Sequence, residues 1–217
     1  MAWDDLSDEE KEAWRRYVET GTHAYLFIRE VPPGTTTAAV VRSLRALVPG
    51  EEVADASQER RSAWEAEGRA VLSASAYVGP YPAFAHLWVD GDLAALQDLL
   101  DALEEELGVR GVTALAGDSF RDQDGAVLMA KLKRSAVVGL VRIWVEAGRS
   151  REVLDALGRA LGDAFKGGTI VFGDFDLLVE VGGDRPADVT EAVLAGIQRV
   201  PGVVRTETSF SDHRRPV

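Results

Sequence analysis

Gly173-Asp174-Phe175-Asp176-Leu177-Leu178-Val179-Glu180-Val181, followed further on by Pro201-Gly202-Val203-Val204-Arg205-Thr206-Glu207-Thr208-Ser209-Phe210, is the stretch that decides the fold. An Asp-rich turn opens onto an aliphatic strand. A helical pattern then begins at Pro186, a residue suited to a first helical position, and carries Val189, Val193 and Ile197 at helical spacing. Pro201-Gly202 ends that helix and releases a second strand. Working back, Ala136–Glu146 reads as a strand and Ser150 as the cap of a helix bearing Val153, Leu154, Leu157, Leu161 and Phe165, with Thr169–Phe172 as the next strand.

The same order lies earlier, beginning at a weaker copy of the turn, Gly79-Pro80-Tyr81-Pro82-Ala83-Phe84-Ala85-His86-Leu87-Trp88-Val89. His23–Val31 alternates, with Ala24, Leu26 and Ile28 on one face and His23, Tyr25, Phe27 and Arg29 on the other. A helix starts near Thr37 and stops at Pro49-Gly50, and residues 51–68 read as a polar insertion. Strands follow at Val71–Val78 and Tyr81–Val89. Asp92 caps a helix whose stripe is Leu93, Leu96, Leu100, Leu103 and Leu107, Gly108 stops it, and Val109–Leu115 closes the half. Each half therefore reads β-α-β-β-α-β, an α+β fold of two tandem ferredoxin-like halves. A sheet of this kind has helices on one face only, so two of them pack face to face, within one chain or between two. The expected organisation is a leading helix at residues 1–20, a first half at 21–120, a polar linker at 121–135 and a second half at 136–217. The leading helix, with Trp14, Tyr17 and Val18 as its apolar stripe, suits either a dimerisation arm or a packing helix.

Composition narrows the function classes. The chain has 217 residues, 46% of them hydrophobic, no cysteine and a net charge of −12. Disulfides, thiolate catalysis and cysteine-ligated metals are excluded. Duplex binding relies on Lys and Arg displacing counterions, and the one basic run, Lys131-Leu132-Lys133-Arg134, is short, so direct DNA binding is not expected. His23, His86 and His213 lack metal-ligand spacing, and no metal site is expected. No phosphate loop or nucleophile elbow is present. The opening Met1-Ala2-Trp3-Asp4-Asp5 has no basic region followed by an apolar run, and no apolar stretch suits a membrane span, so a cytoplasmic protein is expected.

The second half resembles the effector-binding domain of the leucine-responsive regulator (Lrp/AsnC) family, within the dimeric αβ-barrel superfamily. The matching residues are Gly173, Asp174, Phe175, Asp176, Leu177 and Leu178, with Pro201-Gly202-Val203 and Thr206-Glu207-Thr208-Ser209. The first half shares the element order but has Pro80 and Pro82 in place of the aspartates. No helix-turn-helix counterpart precedes the duplicated halves. The resemblance implies a homo-oligomer and a small effector, commonly an amino acid, bound near the aspartate turn.

Two sites are open. At the first, Asp174, Phe175 and Asp176, with hydroxyls from Thr206, Thr208 and Ser209, hold an effector; turn aspartates also bond their own backbone, which is the alternative reading of the same residues. The second follows from strand parity, which puts Tyr25, Phe27, Arg29, Phe84, His86 and Trp88 on the open face of the first half and Arg142, Trp144 and Glu180 on that of the second. Aligning Gly79 with Gly173 makes His86 and Glu180 equivalent. These residues either fill a sheet-to-sheet interface or line an inter-sheet cavity. The favoured function is non-enzymatic sensing of a small molecule or assembly with a partner protein, without a resident cofactor. The alternative is an enzyme or haem-binding protein with His86 as acid–base group, Arg29 or Arg142 as anion holder, and Glu180.

Overall fold

The computed structural model describes residues 7, 8, 12, 15–17, 20–49, 55–121 and 135–212. The chain forms two compact units, one through Ser7–Ala116 and the other through Gly117–Pro216. The expected linker, including Lys131, Lys133 and Arg134, falls mostly outside the described residues, as do Trp14 and Val18.

The N-terminal unit contains β1 (Thr22–Glu30), α1 (Thr37–Arg45), α2 (Asp55–Ala66), β2 (Arg69–Ala76), β3 (Ala83–Val89), α3 (Leu93–Leu107) and β4 (Arg110–Gly117). Its strands lie in the order β2-β3-β1-β4, and β3 runs antiparallel to both neighbours. The core sits between sheet and helices, where Ala24, Leu26 and Ile28 meet Val40, Val41 and Leu44 of α1 and Leu96, Leu99 and Leu103 of α3. Each fully buried Leu or Ile stabilises by about 1.5–3 kcal/mol. Asp92 accepts from the backbone N–H groups of Ala94 and Ala95, so α3 starts where its cap predicts, and Gly108 ends it with φ at 61°.

The polar insertion expected at residues 51–68 holds a helix over residues 55–66, and Trp64 anchors it in the core at 5% exposure. One expectation changes here. Leu93 is 66% exposed, and Leu99 is buried in the stripe instead. The leading segment is helical at Asp8, Glu12 and residues 15–17. It packs on the sheet through Tyr17, whose ring meets Trp88 edge-on at 4.8 Å.

The C-terminal unit contains β5 (Val137–Val145), α4 (Ser150–Leu161), β6 (Phe165–Phe172), β7 (Leu177–Gly183), α5 (Pro186–Glu191) and β8 (Val203–Asp212). The strand order is β6-β7-β5-β8, the same arrangement as in the first unit. Val141 and Ile143, Leu157 and Leu161, Val179 and Val181, and Val189 and Ile197 build its core. A Cβ at Gly139 would stand 2.5 Å from Val189, so glycine lets α5 settle onto β5. Pro186 opens α5 as expected, and the helix continues as a π turn over Ala192–Gly196 and a 3-10 turn over Ile197–Arg199. Ser150 is the first helical residue of α4 and not its cap; the capping position is Arg149, which instead pairs with Glu146 and Glu152. Phe165 begins β6 and does not belong to the preceding helix.

Candidate functional site

Strand alternation sends every second residue of β1 and β3 away from the helices. On β1 these are His23, Tyr25, Phe27 and Arg29; on β3 they are Phe84, His86 and Trp88. Tyr25 stands opposite His86 and Phe27 opposite Phe84 in the register. Cross-strand neighbours at this spacing touch, and the rings form a continuous row. Tyr25 stacks on His86 at 4.6 Å and 22°, and on Phe84 at 6.3 Å and 10°. Phe27 meets Phe84 at 5.3 Å. At the far end Trp88 donates its indole N–H to the Thr20 carbonyl at 2.7 Å.

Within this row lies a contact that sequence reasoning missed. His23 Nδ1 and His86 Nε2 are 2.9 Å apart, and both side chains are buried. Parity placed His23 on this face, and the register sets it diagonally from His86, since His23 faces Trp88 and Tyr25 faces His86. The signal was therefore present, but only strand pairing turns two distant histidines into a pair. Burial, with the charge of His23 adding to it, holds His86 well below the usual histidine range. His86 is thus neutral near pH 7. In either tautomeric arrangement one ring donates to the other.

The C-terminal sheet carries a different chemistry on the corresponding face. Glu180 stands opposite Leu140, and Arg142 opposite Leu178 on one side and Glu207 on the other. Arg142 and Glu180 are each 8% exposed. Glu207 accepts from both Arg142 and Arg205, and the Arg205 guanidinium lies 4.5 Å from the centre of the Trp144 ring. Sequence reasoning assigned Arg142 to this face but missed Glu207, its direct cross-strand partner.

The equivalence of His86 and Glu180 has a geometric counterpart. β2 slips register between Val71 and Ser73, which brings Ser73 opposite His86; β6 slips between Phe165 and Gly167, which brings Gly167 opposite Glu180. Each polar residue thus faces the strand just past an irregularity. Bulges of this kind re-aim side chains and are over-represented beside active sites.

The aspartate turn is largely consumed by its own structure. Asp176 accepts from the Val145 backbone N–H at 2.9 Å, and its own N–H donates to the Ile143 carbonyl at 3.0 Å. The Trp144 indole N–H donates to the Asp174 carbonyl, and Phe175 is buried against Trp144. Asp174 keeps an exposed side chain. The expected hydroxyl cluster does not assemble: Thr206 and Thr208 stand opposite Ile143 and Val141 on the helix side, whereas Ser209 stands opposite Leu140 on the other. Consecutive strand residues alternate faces, so these three side chains cannot converge on one ligand. Among the described residues no group of three or more His, Asp or Glu is placed to hold a metal ion, and no helix is long and apolar enough to cross a membrane.

No family model matches this chain, and no curated protein does. Solved structures do match. The siroheme decarboxylase NirDL, in co-complex with an iron-uroporphyrin III analogue, is similar with a TM-score of 0.58 and 10% identity, over 95% of this chain and 82% of that one. The hypothetical protein PHS023 from Pyrococcus horikoshii is 27% identical over 35% of this chain and 88% of its own, with a TM-score of 0.33. E. coli AsnC is 15% identical over 58% of this chain and 77% of its own, with a TM-score of 0.34. At 10% identity the likeness to NirDL shows the fold: an α+β protein of ferredoxin-like halves, of the kind found in dimeric αβ-barrel proteins.

Proposed function

We propose that the protein binds a flat, conjugated small molecule at the His23–His86 pair of its N-terminal sheet; the rings around the pair are covered in this structure (Tyr25 0%, Phe27 2% and Phe84 4% exposed), so the ligand takes the place of what lies over them. The observation that carries this reading is the buried imidazole pair stacked on Tyr25. Burying polar groups costs free energy unless they bond, and replacing both partners by apolar side chains of the same shape is close to neutral. Packing alone therefore gives no reason for two histidines here. A neutral imidazole has a use: in its own plane it offers a lone pair or an N–H to a ligand at its edge.

An iron tetrapyrrole fits the donor set, and NirDL, a protein of this fold, was solved with an iron-uroporphyrin III analogue. If such a group binds, His86 is the residue that would hold it and His23 would orient the imidazole; since His86 lies within 22° of parallel to Tyr25, the group would meet the imidazole edge-on and would not stack on Tyr25 and Phe84. The metal would supply a Lewis acid at the imidazole nitrogen. The chain's own contribution is to keep His86 neutral and to exclude water from the face. The enzymatic variant of this reading gives His86 the role of a base toward the bound molecule.

The test is a visible-absorbance titration with ferric protoporphyrin IX on wild type and His86→Gln. Saturable binding with a shifted absorption band, lost in the variant, supports the proposal. Identical spectra in both proteins overturn it.

A second reading, an amino-acid effector at the Gly173–Asp176 turn, is favoured by the exposed Asp174 side chain beside the braced turn. A thermal-shift screen with amino acids tests it: a ligand at 100 times its dissociation constant adds about 2.7 kcal/mol of stability. Asp174→Asn should abolish any such shift.

A further inference from the structure

Exposed apolar side chains gather at one end of the C-terminal sheet. β5 finishes there, β6 turns into β7 and β8 begins, as the pairing of Leu177 with Ile143 and Ile170, and of Ile143 with Thr206, requires. Phe172, the last residue of β6, is 68% exposed, and Val204, the second of β8, is 67% exposed. Val204 stands out because of an irregularity. Trp144 pairs with Arg205 and Val145 with Val203, so Val204 is an extra residue with no partner on β5. β5 contributes Trp144 to the same end, part-buried. The Arg205 guanidinium lies 4.5 Å from the centre of the Trp144 ring, and the indole N–H donates to the Asp174 carbonyl. Arg205 and Asp174 both keep exposed side chains. One indole thus has a cation on its face and an acidic residue at its edge, both open to solvent.

We propose that this end of the C-terminal sheet docks a second copy of the chain about a two-fold axis, with Asp174 of one protomer facing Arg205 of its partner and Phe172 and Val204 buried between them. A single exposed apolar residue needs no explanation, but apolar and aromatic side chains grouped with an arginine are the composition of an interface centre. Trp and Arg are also the residues that most often carry its binding energy. Charge decides the occupant. A two-fold interface uses the same patch on both copies, so the patch must be complementary to itself. A patch of one sign fails that condition; an acid and a base flanking one indole meet it. The net charge of −12 opposes self-association at long range, so opposite charges in contact are what set the register of two copies. The inference goes beyond both readings above and involves neither ligand.

The experiment is sedimentation velocity of the full chain, without ligand and over a range of concentrations. It compares wild type, Asp174→Arg, Arg205→Asp, the variant carrying both changes, and Phe172→Glu, with melting temperatures to confirm folding. Wild type should associate reversibly to a dimer. Each single charge reversal sets like charges against each other and should weaken association by about tenfold or more. Phe172→Glu should weaken it as well, by placing a charge in the apolar centre. An equimolar mixture of the two single reversals should recover the dimer, and so should the variant carrying both, because each again brings opposite charges into contact. A wild type that stays monomeric overturns the proposal and leaves the patch to a different protein. A dimer that the charge reversals leave unchanged forms through another surface and overturns it too. Single reversals that weaken the dimer, with a mixture that does not recover it, overturn the two-fold pairing.

Discussion

Burial on the N-terminal sheet holds His86 well below the usual histidine range, and this has a consequence in acid. The unfolded chain takes up a proton at His86 near pH 6.5, whereas the folded chain does not. The unfolded state then binds more protons, so stability rises with pH in this window and falls as pH drops below about 6.5. Urea midpoints measured from pH 7.5 to pH 5 should decline, and His86→Gln should flatten that part of the decline. An unchanged slope would mean that His86 is not held neutral. The groups facing His86 are His23, Tyr25 and Ser73.

The two turn aspartates separate at the same scale. Asp176 bonds the Val145 backbone, so Asp176→Ala should cost about 1 kcal/mol, or more if the Val145 N–H is left without a partner. Asp174→Ala, at an exposed side chain, should stay within about 0.5 kcal/mol. Chemical denaturation of both variants measures the difference. The sequence marked both residues because a turn selects aspartate for its backbone bonds and a ligand site selects it for its charge, and a sequence does not distinguish the two uses.

At the scale of elements, strand parity was legible because its period is rigid. It put His23, Tyr25, Phe27, Phe84, His86 and Trp88 on one face, and the register agrees. The same rule, applied across Thr206, Thr208 and Ser209, separates Ser209 from the other two; grouping them by hydroxyl chemistry ignored it. Helix α2 was missed for another reason. Two thirds of its residues are polar and Trp64 is its one large apolar side chain, so no apolar stripe marks it. Trp64→Ala should cost about 3–5 kcal/mol by leaving a cavity, read as a drop in the denaturation midpoint with most of the far-ultraviolet helix signal kept at low denaturant. Gly139→Ala belongs to the same scale. The added methyl meets Val189 and should cost about 1–3 kcal/mol by overpacking the contact of α5 with β5.

On the scale of the whole molecule, the chain builds one strand order twice and dresses it differently. The N-terminal sheet presents rings and a histidine pair. The C-terminal sheet presents Arg142, Glu180 and Glu207, with Trp144 and Phe175 at the turn. His86 and Glu180 keep matching positions, each beyond a slip in the neighbouring strand. The element order and this equivalence were legible from spacing. The pairing of His23 with His86 and of Arg142 with Glu207 was not, because both are made across strands far apart in sequence.

The central claim is that His86 is a neutral, ligand-facing imidazole. Side-chain nitrogen NMR of the three histidines, with and without zinc protoporphyrin IX, tests it most directly. The account predicts that His86 stays neutral well below the usual histidine range in the free protein. It also predicts that the ring shifts the His86 and His23 nitrogens. A His86 that titrates near pH 6.5, or that does not respond to the ring, would contradict it.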